Sequence, residues 1–285
     1  MSEFLQVTEE DHAVVRLTLN RPDVHNAFDD ALISDLCVAL NYIAAKKPRV
    51  LVLQSTGKSF SAGADLNWMK RSASYTREEN FNDALALAQM LHILDNFPCT
   101  TIAAVQGAAF GGGVGLVACC DIAVASDKAI FSLSEVRLGL IPGTISPFVI
   151  KAIGARQAKR YFATAERFSA DSAAKIGLVH EVTPADELPA TVDKLISELL
   201  AGSPDAQVAA RQLVETMSGR VIDTSTLEAA ATSIADARAS DSGREGVAAF
   251  LEKRKPSWVP QSTSESASQS TSHSTTSKPA GDGKS

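Results

Sequence analysis

TIAAVQGAAFGGGVGLVACCDIAVA, residues 101–125, decides how the whole chain is read. Residues 100–118 carry no charged side chain, and Gly107 and Gly111 have the spacing of a helix-pairing motif, so a membrane span is one reading. Against it, four glycines fall within residues 111–115, and Asp121 follows directly. Glycine is about 1 kcal/mol worse than alanine inside a helix, and a span needs about 20 apolar residues. The apolar runs Thr101–Val105 and Asp121–Ala125 instead fit two buried strands with a glycine turn and a helix between them. A strand–helix–strand unit of this kind is the crossover that parallel strands require, which places the chain in the α/β class.

The flanking sequence extends the pattern. Val14 to Leu19 alternate like a strand that stops at Arg21-Pro22-Asp23. Asp29-Asp30 open a helix whose stripe is Leu32, Leu36, Leu40 and Ile43. Arg49 to Gln54 reads as a short buried strand, and residues 78–96 as a helix with Phe81, Leu85, Leu87, Leu91 and Leu94 on its apolar side. A pair of short strands is expected over Ala129 to Leu133. From Pro147 onward the chain reads as helical, with one extended stretch near Leu178 to Val182. Residues 259–285 are Ser/Thr-rich and contain no Leu, Ile, Met or Phe beyond Val259, so they cannot offset their ordering entropy and are expected to be disordered.

Composition narrows the function. Hydrophobic residues are 45% and charged residues 21% of the 285, as in ordinary globular proteins. The net charge of −6, without an aromatic-basic cluster, argues against a nucleic-acid partner. Met1 to Glu10 is acidic and lacks the basic-then-apolar order of a signal peptide. Cys37, Cys99, Cys119 and Cys120 form no C-x-x-C pair and read as free thiols of a reducing compartment, so a cytoplasmic protein without a membrane segment is expected.

Familiar motifs fail. Thr56-Gly57-Lys58-Ser59 resembles the end of a phosphate loop, but the glycine needed five residues before Gly57 is Val52. Counting a dinucleotide fingerprint from Gly111 puts Leu116 where the third glycine belongs. His12, His25, His92, His180 and His273 are scattered without metal-ligand spacing. What remains is a pair of small-residue turns, Ser59 to Leu66 and Gly107 to Gly113, each after a buried strand and before a helix. Either they are tight turns chosen for packing, or neighbouring strands bring them together so that free helix-start amides converge on an oxygen that becomes negative.

SFSAGADLNWMKR (59–71), the 101–125 stretch, LSEVRLGLIPGTISPF (133–148) and EGVAAFLEKRKPSW (245–258) resemble, in order and separation, the signature regions of the crotonase (enoyl-CoA hydratase/isomerase) superfamily. The likeness covers residues 5–258. It implies a ββα superhelical spiral over 1–200 that binds acyl-CoA, and a C-terminal helical region over 201–258 that builds trimers, often paired as hexamers. By position, the amides of Ala64 and Gly112 would form an oxyanion hole. Ala62 and residues 64–67 (Ala64, Asp65, Leu66, Asn67) would line the pantetheine channel. Phe250 and Lys253 would help hold the CoA nucleotide, often that of a neighbouring subunit. No metal or redox cofactor is implied, CoA being part of the substrate.

Hydratases of this superfamily use two glutamates. One matches Glu135, whose apolar neighbours Phe131, Leu133, Val136 and Leu138 would raise its pKa. The other would fall at Gly115. A single glutamate leaves a hydratase, an isomerase and a non-catalytic acyl-CoA binding protein open. Among subgroups, the segments look most like bacterial methylglutaconyl-CoA hydratases of leucine catabolism. They also resemble isohexenylglutaconyl-CoA hydratases of acyclic terpene breakdown, in which the same glycine is found. Both substrates carry a distal carboxylate, for which Lys70, Arg71 and Arg137 are the candidate cations; for Lys70 and Arg71 a solvated helix face is the alternative.

Overall fold

The computed structural model describes residues 3–260. Strands β1 (Leu5–Glu10) and β2 (Val14–Leu19) form an antiparallel hairpin, then helix α1 (Asp30–Ala45) starts where the Asp29 side chain accepts from the Leu32 amide. Three successive stretches then repeat one plan. The first is β3 (Val50–Ser55), β4 (Ser59–Ser61), α2 (Leu66–Ser72) and α3 (Arg77–Asp95). The second is β5 (Thr100–Val105), β6 (Ala108–Phe110) and α4 (Gly112–Cys119). The third is β7 (Ile122–Ser126), β8 (Ile130–Ser132), a 3₁₀ turn (Glu135–Leu138) and α5 (Ser146–Thr164). Then follow β9 (Phe168–Ser169), α6 (Ala170–Lys175), β10 (Glu181–Thr183), α7 (Leu188–Ala201), α8 (Pro204–Met217), α9 (Thr224–Ala239) and α10 (Asp241–Leu251).

Each repeat gives one strand to each of two sheets. The large sheet has the order β1-β2-β3-β5-β7-β10, parallel except for the first pair, and the small sheet β4-β6-β8-β9. This is the ββα spiral that the resemblance implied. Both faces of the large sheet are covered, which is why its strands read as unbroken apolar runs. Leu51, Leu53, Ala103 and Val105 face the core shared with α1 and α3, whereas Val50, Val52, Ile102 and Val124 face Leu188, Val192 and Ile196 of α7.

The structure departs from the sequence reading in several places, among them β9 within the stretch read as helical. β1 was not anticipated. The two stretches read as plain turns each hold a short strand, β4 and β6, because the small sheet gives their backbone groups partners. One strand, not two, lies within Ala129 to Leu133. On α3, Phe81 and Leu85 are 56% and 41% exposed, because only its later half (Leu87, Met90, Leu91, Leu94) packs on the core. The expected disorder of 259–285 falls, from 261 on, outside the described residues. Among the described residues no helix is long and apolar enough to cross a membrane.

Two arginines fasten the C-terminal helices to the spiral. Arg49 donates to the carbonyls of Leu200 (3.1 Å), Gly202 (2.7 Å) and Trp258 (2.8 Å). Arg211 on α8 donates to Asp95 O (2.9 Å) and Cys99 O (3.0 Å) and pairs with Asp121 at 2.9 Å. Beyond these clips α8–α10 leave Val214, Val221, Ile222, Leu227 and Phe250 exposed.

Candidate active site

The first turn leaves β4 and is held from below by residues 25–28. The Ala62 amide donates to His25 O (3.0 Å), the Phe28 amide to Gly63 O (2.7 Å), and the Asp65 amide to Phe28 O (2.7 Å). Phe28 and Ala64 thus form a single parallel bridge. Such a bridge uses the groups flanking Ala64, so Ala64's own N–H points away from it. Gly63 has φ +88°, which only glycine adopts readily. The Asp65 carboxylate accepts from the Asn67 (2.8 Å) and Trp68 (3.2 Å) amides and starts α2.

The second turn leaves β6. Gly111 donates to Ser132 O (2.9 Å), adopts φ +50° and ψ −116°, and starts α4 at Gly112. The glycine run is helical here despite its propensity because close packing demands it: a Cβ on Gly113 would stand 2.6 Å from Ser61 O. The two turns abut, since a Cβ on Gly111 would lie 3.9 Å from Gly63 Cα. Among the described residues neither the Ala64 nor the Gly112 amide has an acceptor.

Glu135 meets this junction. Its Oε1 lies 3.2 Å from where a Gly111 Cβ would sit, and its Oε2 is buried without a hydrogen-bond partner. Burial among groups such as Phe131 and Leu133, both 0% exposed, pushes its pKa above the ordinary glutamate value by desolvation. The arrangement can polarise a carbonyl oxygen between two amides at a helix start and move a proton at an adjacent carbon.

The structure therefore brings Ala64, Gly112 and Glu135 together. Ala62 is half-buried beside them, and Leu66 and Asn67 are exposed on the first turn of α2. The Asp65 side chain caps α2 through one carboxylate oxygen, which accepts from the Asn67 and Trp68 amides. The Arg71 guanidinium pairs with Asp30 of α1 and stays 48% exposed. The Lys70 and Arg137 side chains are exposed and make no hydrogen bond or ion pair among the described residues. Phe250 and Lys253 stand apart at the end of α10, which packs on α8 and α9. Gly115 is not an empty place awaiting a carboxylate: a Cβ there would lie 2.6 Å from Ile145 Cγ2 and 3.5 Å from Leu91 Cδ1. Sequence reading missed Phe28, Asn26 and Arg21, which brace the first turn, since the stretch after β2 shows only turn residues. No group of three His, Cys, Asp or Glu side chains is placed to hold a metal among the described residues.

The chain is similar to known proteins over most of its length. A family model described as Enoyl-CoA hydratase/isomerase matches residues 9–261. An enoyl-CoA hydratase structure from Shewanella pealeana is 44% identical, with a TM-score of 0.86 over 90% of this chain and 96% of that one. The structure of Pseudomonas aeruginosa AtuE is 34% identical, with a TM-score of 0.84 over 90% of this chain and 100% of that one. The 2,3-dehydroadipyl-CoA hydratase of Escherichia coli is 33% identical over 90% of this chain and 98% of its own length.

Proposed function

Since the chain belongs to the enoyl-CoA hydratase/isomerase family, we propose that it is a hydro-lyase adding water to a branched 2-enoyl-CoA with a distal carboxylate, 3-methylglutaconyl-CoA first. The observation that carries the reading is the junction of two acceptor-free amides with one buried, unpartnered carboxyl oxygen. Ala64 and Gly112 N–H donate to the thioester oxygen. Glu135 takes a proton from water as the water oxygen bonds to C3, and the π electrons move to the thioester oxygen, leaving an enolate. Glu135 then returns the proton to C2 on the same face and is ionised again. Each oxyanion donor contributes about 10²–10³ in rate.

Arg137, on the same 3₁₀ turn as Glu135 and without a protein partner, is the cation we assign to the distal carboxylate, with Lys70 second. The name of the E. coli relative, whose acyl group also ends in a carboxylate, supports that substrate class. The exposed apolar side chains of α8–α10 support a trimer or hexamer in which Phe250 and Lys253 reach a neighbour's CoA. Four free thiols support a cytosolic setting.

Turnover of 3-methylglutaconyl-CoA in deuterated water tests the reading. A hydroxylated product with one deuterium at C2 is expected. A shifted double bond without added water makes the protein an isomerase, a reading favoured by the apolar filling around Gly115, since that reaction needs one carboxylate. Tight binding without exchange of any acyl-CoA offered makes it a binding protein.

Installing the second glutamate is not expected to help. Gly115→Glu forces its side chain against Ile145 and Leu91, and overpacking of this kind costs about 1–3 kcal/mol. Thermal unfolding of the variant should show a lower Tm, and its hydration rate should not exceed the parent's.

A further inference from the structure

Phe28 lies on neither glycine turn, yet it touches both. Its backbone brackets Ala64 through the 2.7 Å bonds to Gly63 O and from the Asp65 amide. Its ring is seated on Gly112, where a Cβ would stand 2.9 Å from Cε2 and 3.0 Å from Cδ2. The missing Cβ of Gly112 is thus the space the ring occupies. Phe28 is 1% exposed and cannot swing away. The chain on either side is pinned as well. Fully buried Asn26 accepts from the Arg21 amide (2.7 Å) and donates to Thr56 O (2.8 Å) and Ser59 O (2.9 Å). Arg21 donates to Ala27 O (2.9 Å) and pairs with Asp29 at 2.9 Å.

We infer that Phe28 is the positioning residue that sets the separation of the two carbonyl-polarising amides, one through its backbone and the other through its ring. The inference rests on the reading of Ala64 and Gly112 as donors to the thioester oxygen. Donors of this kind act only when their distance to the developing oxyanion is held near hydrogen-bond length. A misplacement of about 1 Å costs roughly 10²-fold in rate. Without the ring, α4's first residue loses the side chain that fills the space beside it, while the β4–β6 pairing and the packing of Gly113 on Ser61 still tie it to the Ala64 strand. The CoA ester still binds through its longer portion, so the defect belongs to the chemical step and not to affinity.

The test uses the full chain, with Phe28→Ala and Phe28→Leu. Rates are measured with the hydratable ester. The infrared carbonyl band is measured on an isotope-labelled thioester bound in the Glu135→Gln background, where it is not consumed. Binding to the parent lowers the carbonyl frequency. Phe28→Ala is expected to lose most of that shift and about 10–100-fold in kcat, with the Kd of the ester changed less than about threefold. Phe28→Leu, which refills part of the space, falls between, and it decides alone if the alanine variant does not fold. Full retention of the carbonyl shift in the folded variants overturns the inference, whether or not kcat falls, because packing alone then explains Phe28. Absence of any shift in the parent overturns the donor reading itself, before a Phe28 variant is made.

Discussion

Glu135→Gln is expected to lower turnover by about 10⁴-fold, the upper end of what one acid–base group supplies, because the same carboxyl both removes and returns the proton. Glutamine matches the shape and keeps a hydrogen-bonding end, so a loss reports the proton and not the packing. The same substitution is expected to stabilise the protein wherever the Glu135 carboxyl is ionised. Desolvation raises the folded-state pKa of Glu135 above its unfolded value. The stability contributed by the protonated carboxyl is therefore fully present below the unfolded value and is lost as pH rises through the raised one. Above that window the parent carries a buried charge that the variant lacks. Thermal unfolding across pH should show the variant's Tm advantage growing upward through that window and vanishing at acid pH. For the parent, a base with a raised pKa places the acid limb of kcat/KM above the ordinary carboxylate range, and a limb at the ordinary value would contradict the assignment.

Gly111→Ala should be the second most damaging change, costing about 10²-fold in rate and about 1–3 kcal/mol in stability through its backbone angles. At φ +50° and ψ −116° an L side chain is strained. Its Cβ would also press on Glu135 Oε1 at 3.2 Å, displacing the carboxyl by a few tenths of an ångström. Gly219 separates the two effects. Its φ is +75°, but a Cβ there meets nothing within 4 Å. Gly219→Ala should lower the Tm and leave kcat unchanged. Equal losses of rate in both variants, measured side by side, would mean that backbone strain and not the contact with Glu135 disables Gly111→Ala.

Much of the fold was legible because its strands are buried on both faces. Arg49 to Gln54 and Thr101 to Val105 read as continuous apolar runs, and the structure sets them next to each other as β3 and β5. The Asp29 cap marked the start of α1 in the same way. β4 and β6 were not legible, since three residues of Ser, Ala and Phe carry no periodicity, and their strand character comes from pairing between positions as far apart as Ser59 and Ala108. Position 115 shows the same limit: in sequence the glycine is only a missing carboxylate, and the fold adds that Ile145, thirty residues on, fills the space.

By itself the sequence determined the α/β class, the two small-residue turns and, through resemblance, the family and Glu135 as the candidate acid–base group. These are properties of local composition, and local composition is what a linear string records. Only the tertiary structure decided that the turns touch, that the Ala64 and Gly112 amides lack acceptors, and that Arg71 is tied to Asp30 while Arg137 is not. It also placed Phe28 under both turns. Each of these depends on which distant groups share a few ångströms, and desolvation, free donors and close backbone approach exist only once the chain has folded.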